Sequence, residues 1–94
     1  PALAQMELRD FLALDDEGFR ELFRGSPIKR IKRRGLLRNV CVALGNVGTA
    51  RDLPALELAT RDAEPLVAEH ATWALAQIRA RAAAEVNGKG FAKV

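Results

Sequence analysis

Ninety-four residues with a net charge of +3 define one small domain, which at this size buries roughly 60–65% of its unfolded surface. With 49% hydrophobic but only 5% aromatic residues and no tyrosine, the core is left to Ala, Leu, Val and Ile, a composition that favours helices. A single cysteine excludes an internal disulfide framework and favours the cytosol, and no run approaches the ~20 apolar residues of a membrane span.

In chain order, Leu3 to Leu14 predicts a first helix with Leu3, Met6, Leu8, Phe11 and Leu12 on its apolar side. Asp15 and Asp16 are good N-caps for a second helix, about Glu17 to Arg24, which buries Phe19, Leu22 and Phe23 and stops at Gly25. Ser26-Pro27 signals a restart, a hydroxyl cap followed by proline at the first helical position. Ile28 and Ile31 are expected to anchor one side of a short helix that Gly35 breaks or kinks. Its other sides are cationic. From Arg20 to Arg38 there are eight Lys or Arg against one acid, Glu21, so the positive charge is concentrated rather than spread. Such a cluster is the electrostatic footprint of a surface that meets phosphate.

The rest of the chain repeats. At an offset of 31, Leu36, Val40, Ala43, Leu44 and Val47 answer to Val67, Ala71, Ala74, Leu75 and Ile78, one stripe of a helix in each copy. Between the copies Asp52 caps a shorter helix, Leu53 to about Thr60, and Asp62 to Glu64 form a tight turn before the longer helix. Helix pairs of this period stack because neither hides its apolar face alone. The organisation read this way is a leading helical pair (3–25), a basic helix plus first repeat helix (26–48), a helix pair (52–84) and a flexible end (85–94). The chain opens at Pro1, without an initiator methionine, and is expected to be a piece of something longer.

The run Leu53-Pro54-x-Leu56, Asp62, Val67, Ala71, Ala74-Leu75, Ile78 resembles HEAT-like repeats, which gives an all-α, HEAT-like α-α superhelix of about five to six helices as the expected fold. Phe23-Arg24-Gly25-Ser26-Pro27-Ile28-Lys29-Arg30, Gly35-Leu36-Leu37-Arg38-Asn39 and Ala43-Leu44-Gly45-Asn46 resemble the carboxy-terminal region of bacterial epoxyqueuosine reductases, iron–sulfur cluster-binding proteins. The resemblance covers nearly the whole chain. It implies a cytoplasmic oxidoreductase that completes queuosine in tRNA with cobalamin and two [4Fe–4S] clusters, all housed upstream. Each cluster takes four thiolates, and Cys41 is the one cysteine here, so no catalytic, cofactor or metal residue is carried over. The part implied for this chain is docking of the tRNA anticodon arm, beside the parent's upstream catalytic and ferredoxin-like domains. Its expected contacts are Lys29, Arg30, Lys32, Arg33, Arg34 and Arg38, with Arg34 and Arg38 opposite the apolar stripe of their helix.

Other residues have simpler readings. Asn39 with His70, and Asn46 with Gln77, are placed to hydrogen-bond between repeats. Trp73 packs on the tail or a further domain, or stacks on a base. Cys41 is a small inert hydrophobe beside the core. Against RNA docking stand a solvated cationic face, a HEAT-like protein-interaction scaffold with no RNA role, and a nucleic-acid repair enzyme, for which no buried carboxylate beside an aromatic cleft is evident.

Overall fold

The computed structural model describes residues 3–92, with side chains as far as residue 85. Among the described residues the chain is all-α, with four α-helices linked by short 3-10 stretches and no strand. The expected first helix does not form as one. Leu3–Gln5 and Leu8–Ala13 are separate 3-10 stretches. Between them the Glu7 amide donates to Asp10 Oδ2 at 2.8 Å, a side-chain bond that restarts the chain at Glu7. Only Leu12 of these residues is buried, so little tertiary packing enforces a continuous α-helix.

Helix α1, Asp16–Leu22, is capped as expected: Asp15 Oδ1 accepts from the Gly18 amide at 2.7 Å. It ends ahead of Gly25, whose φ of 77° suits a residue without Cβ. Phe19 and Phe23 are buried with ring centroids 5.1 Å apart, and Phe11 lies 6.3 Å from Phe23, which ties the Leu8–Ala13 stretch to α1.

Ser26 Oγ accepts from the Ile28 amide, and Pro27–Ile31 makes a 3-10 turn rather than an α-helix. Ile28 and Ile31 are exposed, 39% and 45%, and neither joins the described core cluster. The kink falls at Lys32, with φ 62° and ψ 164°, a region that costs a non-glycine residue about 1–3 kcal/mol. Gly35 breaks nothing. Helix α2 runs Lys32–Val47 straight through it, because Leu37, Val40, Cys41 and Leu44, all buried, outweigh the ~1 kcal/mol a helical glycine costs.

After a 3-10 turn at Ala50–Asp52 come α3, Leu53–Ala59, and α4, Pro65–Ala92. The backbone of α4 is helical through residues 85–92, where glycines at 88 and 90 predict a loose end. Its chief neighbour is α2, then α3. The buried faces of α2 and α4 match the expected stripes in part. Val67, Ala71 and Ala74 are fully buried, as expected. Val40 and Leu44 are buried as the offset of 31 expects, but Leu37 and Cys41 are buried more deeply, so the buried arc of α2 is centred one residue from the expected stripe. Leu36 and Ala43 are half-buried and Val47 is 72% exposed.

Contact between α2 and α4 depends on two glycines near the end of α2. A methyl group at Gly45 would lie 2.2 Å from Trp73 Cζ3, so the indole rests where a side chain would stand. Arg81 of α4 donates to the carbonyls of Gly45 and, at 2.8 Å, Gly48, satisfying acceptors that the helix leaves open. Gly45→Ala would gain helix propensity but overpack against the ring. We expect a net loss of about 1–2 kcal/mol in urea denaturation, with a changed Trp73 emission maximum.

Candidate nucleic-acid interface

The cationic segment is placed by the Pro27–Ile31 turn and the first two turns of α2. Ser26 and Pro27 fix its start, and the positive φ of Lys32 sets the angle at which α2 departs. Lys29, Arg30, Lys32 and Arg34 are exposed and Arg38 is half-buried. Among the described residues none of these five forms an ion pair. Arg38 Nε donates to Asn39 Oδ1 at 2.9 Å, which steadies the side chain without neutralising it.

Arg33 does something else. Its guanidinium is forked onto Asp62, with Nη1 donating to Oδ1 at 3.1 Å and Nη2 to Oδ2, while Nε donates to the Leu14 carbonyl at 2.6 Å. Side-chain exposure is 14% for Arg33 and 10% for Asp62. The hydrogen bond from Arg33, helped by the Glu64 amide, holds the Asp62 carboxyl below the usual carboxylate range. All three donor groups of Arg33 are thus engaged within the protein. It joins α2 to the Leu14 chain segment and to the turn before α4, and its expected place among the phosphate contacts is corrected accordingly.

Four of the five remaining cations fall into two groups, and the exposed Arg30 belongs to neither. Lys29 and Lys32 border shallow recesses beside α1, together with Arg20 and the acids Asp16, Glu17 and Glu21. Arg24, in the same neighbourhood, pairs with Glu21 at 2.6 Å. Arg34 and Arg38 lie one helical turn apart on α2, and the next position on that line is Val42. Val42 borders an open depression of about 410 Å³ with Glu69, His70 and Trp73 of α4.

Neither expected inter-repeat hydrogen bond is present among the described residues. Asn39 accepts from Arg38, and His70 Nδ1 bonds to the Leu66 carbonyl at 2.7 Å within its own helix. Two part-buried ion pairs between distant residues were missed in the sequence for want of any local signal. One is Arg33–Asp62; the other is Arg9 Nη1 to Asp52 Oδ1 at 3.0 Å. Asp52, expected to cap α3, instead accepts from the Thr49 amide at 2.9 Å and holds Arg9 of the leading segment. A further open depression, about 870 Å³, is mostly apolar and is lined by Met6, Ala13, Leu14, Leu22 and Ala55 among others, with neither Arg34 nor Arg38 in its lining.

Cys41 is fully buried, and burial pushes its thiol up to about 11, so it stays protonated and is a poor nucleophile or ligand. Among the described residues no group of three or more His, Cys, Asp or Glu is placed to hold a metal ion. One buried thiol does not fit the four-thiolate requirement of an iron–sulfur cluster. No described helix is long and apolar enough to cross a membrane.

Fold and surface together define an all-α helical domain whose distinguishing feature is an exposed cationic shoulder. Comparison with known proteins is specific. The chain is 42% identical over 83 residues to the epoxyqueuosine reductase of Shewanella oneidensis, covering 85% of this chain and 21% of that protein. It is 44% identical over 84 residues to the Alicycliphilus denitrificans enzyme of the same name (80% of this chain, 23% of that protein). Against the Escherichia coli epoxyqueuosine reductase it is 42% identical over 72 residues, 76% of this chain and 19% of that protein. No protein-family model matches, and no solved structure matches significantly. Over most of its length the chain is similar to a segment of the epoxyqueuosine reductases, and it spans about a fifth of the length of the relatives it matches.

Proposed function

We propose that this chain is the carboxy-terminal, HEAT-like docking part of an epoxyqueuosine reductase, and that it seats the anticodon arm of tRNA through Lys29, Arg30, Lys32, Arg34 and Arg38. The observation that carries the reading is that these five cations, gathered on one turn and the helix it launches, lack acid partners among the described residues. Cations at that density repel one another unless a polyanion neutralises them, and contact with phosphate releases the counterions condensed on RNA. The parent is an oxidoreductase of the cytoplasm, its cobalamin and [4Fe–4S] clusters belong to upstream catalytic and ferredoxin-like domains, and this segment contributes binding without catalysis. Phosphate contacts of this kind position the RNA and leave its sequence unread.

Arg34→Ala with Arg38→Ala tests it. Both heads are away from the core, so the fold should survive by circular dichroism. Affinity for a tRNA anticodon stem-loop should fall, and the slope of log K against log salt should flatten by about 0.7–0.9 per lost contact. Unchanged affinity and slope would remove the reading. The exposed Ile28 and Ile31 among the cations favour one alternative, a protein-interaction scaffold with a basic face and no RNA role. A partner retained after nuclease treatment, with no tRNA in the bound fraction, would favour it.

A further inference from the structure

The depression between α2 and α4 differs in chemistry from the cationic shoulder beside it. Val42 and the partly exposed Trp73 give it apolar walls. Its two polar lining residues, Glu69 and His70, bring no fixed positive charge. His70 Nδ1 lies 2.7 Å from the Leu66 carbonyl, and the tautomer that donates there leaves Nε2 as an acceptor. A phosphate is repelled by Glu69. A flat, neutral ring with N–H donors on its edge suits both walls and acceptors. The indole is also held in place: it rests on Gly45, where even a methyl group would collide with it.

The cations stand in line with this depression. Arg38 and Arg34 lie one and two helical turns from Val42 along the same face of α2. A strand whose phosphates follow those guanidinium groups brings its next base to the depression. An aromatic platform at the end of a cationic track is how single-stranded nucleic acid is bound generally, each stacked base being worth about 1–3 kcal/mol by alanine substitution.

We propose that Trp73 is a stacking platform for an unpaired nucleobase, with Arg38 and Arg34 holding phosphates of the same strand. The inference rests on the RNA-docking reading and adds to it a demand for a splayed-out base, which duplex phosphates alone do not supply.

Trp73 is the only tryptophan of the chain, so its own fluorescence reports the event. The probes are a single-stranded RNA of about ten nucleotides, within the usual site sizes, and the same strand without bases at its central positions. Stacking predicts that both bind with salt-dependent affinity while only the base-bearing strand strongly quenches Trp73. It also predicts that Trp73→Ala weakens binding of the base-bearing strand by roughly 5- to 100-fold, that Trp73→Phe restores most of it, and that the abasic strand is indifferent to both changes. Equal quenching by the two strands, or none by either, with binding intact, overturns the platform and leaves docking standing. Absence of binding by both strands and by the anticodon stem-loop overturns docking and platform together.

Discussion

Asp62→Ala is expected to lower the stability of the domain by about 3 kcal/mol, with a fall in Tm of about 12–24 °C. The substitution leaves the Arg33 guanidinium, 14% exposed, beside a cavity in place of its carboxylate. Removing one partner of a buried pair costs about 3–5 kcal/mol because the remaining charge is uncompensated, and the residual solvent contact here favours the lower end. Against a total of about 5–15 kcal/mol for a domain, that loss is large. The pH dependence has a definite sign. The folded-state Asp62 carboxyl titrates below its unfolded value, chiefly because Arg33 donates to it. The contribution is therefore complete above the unfolded pKa of about 3.9 and disappears as pH falls through the lower folded value. Urea denaturation at pH 7 and at successively lower pH below about 3.9 should show the wild-type chain progressively losing this increment and the Asp62→Ala chain having none to lose. Equal stability of the two chains at pH 7 would remove the structural role of the pair. Arg33→Ala should resemble Asp62→Ala in stability, so weaker RNA binding by that variant reports a damaged fold before it reports a lost phosphate contact.

Leu37→Ala should cost about 2–5 kcal/mol, and Leu36→Ala distinctly less. Leu37 is fully buried in the cluster that joins α2 to α3 and α4, whereas Leu36 packs at its margin, half-buried. Truncation at 37 removes transfer free energy and leaves a cavity that Cys41, Leu56 and Val67, all fully buried, cannot readily close. The urea midpoint is the measurement, with an unchanged m-value showing that stability alone has moved. An equal or larger loss at Leu36 would centre the buried arc on the expected stripe and contradict the packing described above.

That pair of leucines shows how far the sequence could be read. Helical periodicity in α4 is legible because Val67, Ala71, Ala74, Leu75 and Ile78 fall on one stripe while Glu69, His70, Thr72 and Gln77 fall off it, and all five are buried. In α2 the run Gly35-Leu36-Leu37 and the run Val40-Cys41-Val42-Ala43-Leu44 offer two stripes one residue apart, and periodicity does not choose between them. Tertiary packing chooses. α2 is covered by α4 and also by the Leu8–Ala13 stretch, so its buried arc is wide and centred on Leu37, Cys41 and Leu44.

Caps and stops at Asp15, Gly25 and Ser26 were equally legible, being local chemistry. The failures lie where distant residues compete with local preference. Charge counting finds the cationic segment but treats Arg33 and Arg34 alike. Only the fold brings Asp62, 29 residues away, against Arg33 and leaves Arg34 in solvent. The leading helix failed for a related reason, since the Glu7–Asp10 bond and the reach of Arg9 to Asp52 hold the backbone in shorter turns.

Titrating the chain with a tRNA anticodon stem-loop, from about 50 to 200 mM salt, puts the weight on its surface where the account does. Engagement of Lys29, Arg30, Lys32, Arg34 and Arg38 predicts a log–log slope of about −3.5 to −4.5, retained when Asp62→Asn shifts stability alone. A slope near zero, or no complex at the lowest salt with the chain demonstrably folded, would contradict it.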